Sequence, residues 1–232
     1  GWILKVSARL AQHYPDTFEK ALSKIVTELG QYPVLGVTSI GASKVQRDWV
    51  MEAINAPVGY VAQALFNDKR ISAAIAGSGL DQGWLSLAEK LLRTQGDLCR
   101  HALVIFSHNL NWLYAIDPNW TSANLLPVLD ASDLEDREAF WGGFLWGGSL
   151  PNQQLYVLLK PHLLDRATKT SLLARGRAQV LTQMIVAGWG SKDASGKRRL
   201  VTNEELRGVL LSVDDEFRCR VLWHLERWTK GA

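Results

Sequence analysis

Apolar residues recur along this chain with the period of an α-helix, and that repetition leaves little room for any fold but an all-helical one. Phe18, Ala21, Leu22, Ile25, Val26 and Leu29 share one continuous helix face. Val58, Val61, Ala62, Leu65 and Phe66 repeat the spacing, as do Trp84, Leu87, Ala88, Leu91 and Leu92. So do Leu155, Leu158, Leu159 and Leu163, then Leu173, Val180, Leu181 and Met184, and finally Phe217, Val221, Leu225 and Trp228. Period-two alternation bounded by turns, the mark of a half-buried strand, is nearly absent.

The punctuation between these stretches predicts short helices of about 10 to 16 residues joined by short connections. Ser132 with Glu135, and Thr202 with Glu205, have the spacing of reciprocal N-terminal caps. Pro15, Pro57, Pro127, Pro151 and Pro161 are expected to open or interrupt helices, with Gly77, Gly79, Gly142, Gly143, Gly147 and Gly148 relaxing the backbone between them. Residues 31–43, rich in glycine and small residues, and 188–199, which lack an apolar period, read as less ordered segments. About ten short antiparallel helices, none of bundle length, fit an irregular α-solenoid of stacked HEAT-like pairs, with a compact irregular helical domain as the alternative. The expectation is one domain over 1–232, with a weak subdivision near 31–43. Trp2, Ile3, Val6 and Leu10 begin a helical pattern at once, and another runs through Trp228 close to Ala232. The chain therefore reads as a piece of a longer protein.

Composition narrows the function classes. Hydrophobic residues make up 47% of the 232, enough for a sizeable core, while 21% charged residues and a net charge of +3 argue against a dedicated nucleic-acid surface. Cys99 and Cys219 lie far apart in sequence, in apparently helical, half-buried segments, which argues against a disulfide framework or a four-ligand metal site, and they read as reduced thiols. No apolar run approaches the roughly 20 residues that span a bilayer, and no signal peptide opens the chain, so a cytoplasmic location is expected. The sequon at Asn119 is then an accident.

Candidate sites are few. Ten tryptophans are many for this length, and Trp112, Trp120, Trp141 and Trp146 fall in one stretch where packing and an interaction surface are both readings. Helical spacing puts Trp141 and Trp146 roughly 140° apart, with Trp141 inward and Trp146 outward. Phe140–Ser149 looks like a phosphate loop only in its glycines, lacking the Gly-Lys-Ser/Thr ending and a preceding strand, so no nucleotide cofactor is expected. Cys99, His101 and His108 share one segment and raise a nucleophile–base idea, against which ordinary packed histidines are the plainer reading. Asp130, Asp133, Glu135, Asp136 and Glu138 are explained by a helix N-terminus, and no metal-ligand spacing occurs. Lys192, Lys197, Arg198 and Arg199 form the one basic cluster, a solvated loop or an anionic contact.

Three strings carry a family resemblance: Trp49-Val-Met-Glu-Ala-Ile-Asn-Ala-Pro-Val-Gly59, Leu110-Asn-Trp-Leu-Tyr-Ala-Ile-Asp-Pro-Asn-Trp120 leading to Pro127, and Phe140-Trp-Gly-Gly-Phe-Leu-Trp146. With Phe217 to Trp228 they resemble a helical region found C-terminal to sirtuin-like domains in bacterial antiphage defence proteins. The resemblance implies a non-catalytic sensor or regulatory scaffold, contacting its own upstream NAD-degrading domain and a phage protein, with homo-oligomerisation a further option. It carries over no catalytic residue. Trp112, Trp120, Trp146, Lys192, Lys197, Arg198 and Arg199 are the candidate contact residues. A nucleic-acid-binding helical repeat and an enzyme with an unrecognised helical site are the rival classes, the first disfavoured by the charge balance.

Overall fold

A computed structural model describes residues 2–29, 31, 47–169, 175–193 and 195–230, with side chains from Ser7 onward. The expected loop and subdivision at 31–43 lie outside the described residues apart from Gln31, as does Leu173. Fourteen α-helices and one 3₁₀ segment are present among the described residues, and no strand beyond a single bridge between Lys192 and Arg199. The chain is all-helical. It divides into two compact units, 1–147 and 148–232.

The first unit contains α1 (Trp2–His13), α2 (Pro15–Leu29), α3 (Trp49–Asn55), α4 (Pro57–Leu65), α5 (Lys69–Ser72), α6 (Gln82–Leu92), α7 (Asp97–His108), α8 (Leu110–Ile116) and α9 (Pro118–Asn124). A 3₁₀ segment (Leu126–Asp130) and α10 (Leu134–Gly147) complete it. Several helices are shorter than the sequence suggested, because aspartates cap and restart them in quick succession. Asp81 accepts from the Trp84 amide at 3.0 Å and Asp117 from the Trp120 amide at 2.9 Å. The Ser132 cap is corrected: α10 begins one residue later, and Asp133 takes the Glu135 amide at 2.8 Å. Ser132 lies one residue outside that cap.

Helix α7 is the centre of this unit. Leu98 and every residue from His101 to Ser107 are buried, and α3, α4, α6, α8 and α10 all pack against it. Phe106 lies among Phe66, Trp84 and Trp120, with ring centroids 5.5, 5.9 and 6.4 Å away. Each such side chain contributes roughly 1.5–3 kcal/mol of burial. The glycines of α10 are not the linkers the sequence suggested. Ala139, Gly143 and Gly147 recur every fourth residue along α10, and a Cβ on Gly143 would overlap the Val104 carbonyl and the Ser107 hydroxyl of α7. Only Gly148, at φ +66°, terminates the helix in the left-handed region.

The second unit holds α11 (Gln153–Ala167), α12 (Arg175–Gly190), α13 (Asn203–Ser212) and α14 (Asp215–Lys230). Leu155, Leu159, Leu163, Leu181, Ile185, Phe217 and Val221 are its core. The Tyr156 hydroxyl donates to the Met184 carbonyl at 3.0 Å, tying α11 to α12. The Thr202–Glu205 capping box forms as expected and Glu205 also pairs with Lys160 at 2.7 Å. Pro161 does not interrupt its helix. It lies within α11 on the exposed side, where water can satisfy the carbonyl left without a donor.

Candidate functional site

The residues at the C-terminal end of α10 form a surface feature of the first unit beside a groove. Trp141 is buried, at 4% exposure, whereas Trp146 is 42% exposed. That difference follows from their angular separation: Trp141 turns toward Phe140 and Phe144, and Trp146 turns over the edge of α7. The Trp146 ring lies on the His108 imidazole, with centroids 4.1 Å apart and planes inclined by 32°. Gly147 permits the approach, since a Cβ there would stand 2.9 Å from the His108 carbonyl oxygen.

Beside this pair runs a groove of about 410 Å³ lined by Ala8, Gln63, Phe66, Asn67, Ile105, His108, Asn109 and Trp146. Its floor is apolar and its sides carry three carboxamides. Gln63 donates to the Gly59 carbonyl at 3.2 Å, Asn67 to the Ser7 hydroxyl at 3.3 Å and Asn109 to the Ile105 carbonyl at 2.9 Å. Those bonds fix the amide planes. Burial lowers the His108 pKa, so the imidazole is neutral near pH 7 and no formal charge faces the groove. Such a lining suits a neutral peptide segment inserting an apolar side chain and offering backbone groups to the amides. It does not suit a phosphate.

The tryptophans expected together are only partly brought together. Trp112 is 38% exposed and meets the groove through Phe66, whose ring centroid is 6.1 Å away. Trp120 is corrected to a core residue: it is 8% exposed, packs on Trp84 at 6.0 Å and donates its indole N–H to Glu89 at 3.2 Å. Lys192, Lys197, Arg198 and Arg199 are exposed and belong to the second unit.

The nucleophile–base idea meets opposing chemistry. The Cys99 thiol donates to the Leu92 carbonyl, and burial raises its pKa to about 11. It stays protonated and weakly reactive. His101 has no exposed surface and no hydrogen-bond partner for either ring nitrogen; Glu52 stands 3.7 Å from Nε2, beyond bonding reach. The acidic residues ahead of α10 do more than cap a helix. Arg100 is held by Asp97, Asp133, Glu135 and Asp136, and Arg47 by Glu52 and Asp97, with the Arg47 guanidinium 3.7 Å above the Trp49 ring. This network joins α3, α7 and α10 around Trp49. Its members are saturated by one another, which suits an architectural role. Among the described residues no group of three or more His, Cys, Asp or Glu side chains could hold a metal ion.

No family model matches the chain, and neither a curated protein nor a solved structure matches it. No described helix is long and apolar enough to cross a membrane.

Proposed function

We propose that this chain is a non-catalytic helical scaffold whose first unit takes a neutral protein segment in the groove beside Trp146. The observation that carries this reading is the half-exposed Trp146, stacked on a neutral histidine at the rim of an uncharged groove with an apolar floor. A rigid exposed tryptophan beside a preformed pocket is the usual anchor of a protein interface. The wrapping of α7 by five helices favours the compact helical domain over the stacked-pair solenoid for this unit. The resemblance to regions downstream of sirtuin-like domains supplies the occupant: a segment of such an NAD-degrading domain, held or released by this scaffold when a phage protein competes for it.

The test is a pair of substitutions. Trp141→Ala removes a packed core ring and should cost about 3–5 kcal/mol of stability. Trp146→Ala should leave the melting temperature nearly unchanged and weaken association with a separately produced sirtuin-like domain at least tenfold, about 1.4 kcal/mol. Equal thermal damage by both, with no separate effect on association, would reduce the aromatic cluster to packing. In calorimetry the chain alone should show no micromolar affinity for NAD, and such binding would overturn the scaffold reading.

A further inference from the structure

The small net charge of the whole chain conceals a separation of charge. Residues 148–232 hold fourteen Lys and Arg against eight Asp and Glu, a net of +6, whereas residues 1–147 hold twelve against fifteen, a net of −3. In the first unit the arginines near the surface are largely consumed by carboxylates, as at Arg47, Arg70 and Arg100. The loop between α12 and α13 is different.

Its described residues, 191–193 and 195–200, are tied together across the turn. The Asp193 amide donates to the Arg198 carbonyl at 2.7 Å, the Leu200 amide to the Ser191 carbonyl at 3.0 Å, and Gly196 makes the turn at φ +68°. The one acid of the hairpin is engaged within the loop: Asp193 accepts from the Ser195 hydroxyl at 2.5 Å and from the Ser195 amide at 3.0 Å, and these donors, the hydroxyl foremost, hold its carboxyl below the ordinary carboxylate range. Gln153 anchors the base by donating to the Lys192 carbonyl at 3.1 Å. Lys192, Lys197 and Arg198 are exposed and, among the described residues, have no carboxylate partner.

Aromatic rings flank these cations, which the linear sequence did not suggest. The Arg199 guanidinium covers the Trp189 ring at 4.4 Å, and the Trp189 indole donates to Asn203 at 2.9 Å. Trp228, 44% exposed, lays its ring on Gly190, where a Cβ would come within 2.9 Å of Cη2. Glycine at 190 lets the half-exposed indole from the end of α14 approach the base of the hairpin. We propose that this hairpin and Trp228 bind single-stranded nucleic acid, the cations taking phosphates and the Trp228 ring taking a base. Exposed cations beside a half-exposed aromatic ring are the two elements of single-strand recognition. An acidic peptide would use the charges and leave the ring idle.

The experiment measures fluorescence anisotropy of a labelled oligothymidylate titrated with the whole chain. With about three phosphates neutralised, each lowering the salt slope by about 0.7, affinity should fall about 20-fold between about 50 mM and about 200 mM salt. Lys197→Glu combined with Arg198→Glu should weaken binding at least tenfold at low salt without changing the circular dichroism spectrum, since neither side chain has an internal partner. Trp228→Ala should weaken it about 5- to 150-fold, and Trp228→Phe should restore much of the loss because a phenyl ring still stacks. Trp146→Ala, in the other unit, should change nothing, which separates this proposal from the groove. Absence of saturable binding would overturn it, as would indifference to the charge reversal or to Trp228→Ala. Equal binding to polyglutamate or to phosphatidylserine vesicles would also overturn it, by showing a surface that selects charge alone.

Discussion

His101 is fully buried, and its chemistry ties stability to pH. Desolvation lowers its pKa most; Asp97 and Glu52 oppose that effect and Arg47 adds to it. The indole of Trp49, with its centroid 6.2 Å away, closes one side. The folded chain therefore keeps a neutral imidazole at pH values where an unfolded chain, with a histidine pKa of about 6.5, already binds a proton. Stability from this residue is complete above about pH 6.5 and is lost as the pH falls toward the lowered folded value, at no more than about 1.36 kcal/mol per pH unit. Urea unfolding should accordingly give a lower midpoint at about pH 5.5 than at about pH 7.5. His101→Leu should shrink that difference without abolishing it, because His108 and His224 are shifted the same way. An unchanged difference in the variant would assign the pH response elsewhere.

Helix α10 is best tested by its adjacent glycines, which look alike in sequence. A Cβ on Gly142 would meet the Trp49 Cβ at 3.5 Å and Val50 at 3.7 Å, ordinary contacts, whereas one on Gly143 would collide with α7 backbone. Gly142→Ala should be neutral or stabilise by up to about 1 kcal/mol through helix propensity. Gly143→Ala should destabilise by about 1–3 kcal/mol, because α10 must move off α7. Thermal melts of both variants decide the matter, and similar effects would contradict the packing described. At this scale the sequence was informative about faces and less so about boundaries. The apolar period placed α2, α4, α6 and α14 and told Trp141 from Trp146, since side-chain direction follows from helical geometry alone. It misread Gly142, Gly143 and Gly147 as linkers, because a glycine that admits a neighbouring backbone and one that ends a helix have the same local signature. The aspartate caps were legible in retrospect: Asp81, Asp117 and Asp214 each stand three residues before a buried aromatic.

For the whole chain, what stayed hidden was what only folding assembles. The net charge of +3 gave no hint that cations concentrate beyond residue 147, since a balance struck over 232 residues cannot show a boundary it does not know. Trp228 and Gly190 are far apart in sequence, and the groove draws on α1, α4, α7 and α10. The arrangement of the first unit has its own consequence for dynamics. A stack of helix pairs would protect each pair by its two neighbours alone, so amide exchange would grade smoothly from pair to pair. A helix enclosed by five others exchanges only when the unit opens as a whole. Leu98 and residues 101–107 are buried in α7, whereas the four-residue α5 buries Ile71 alone. Hydrogen exchange followed by mass spectrometry should find the amides of α7 the slowest between residues 47 and 147, with α5 exchanging much faster. A flat profile across α3 to α10 would favour the stacked-pair arrangement.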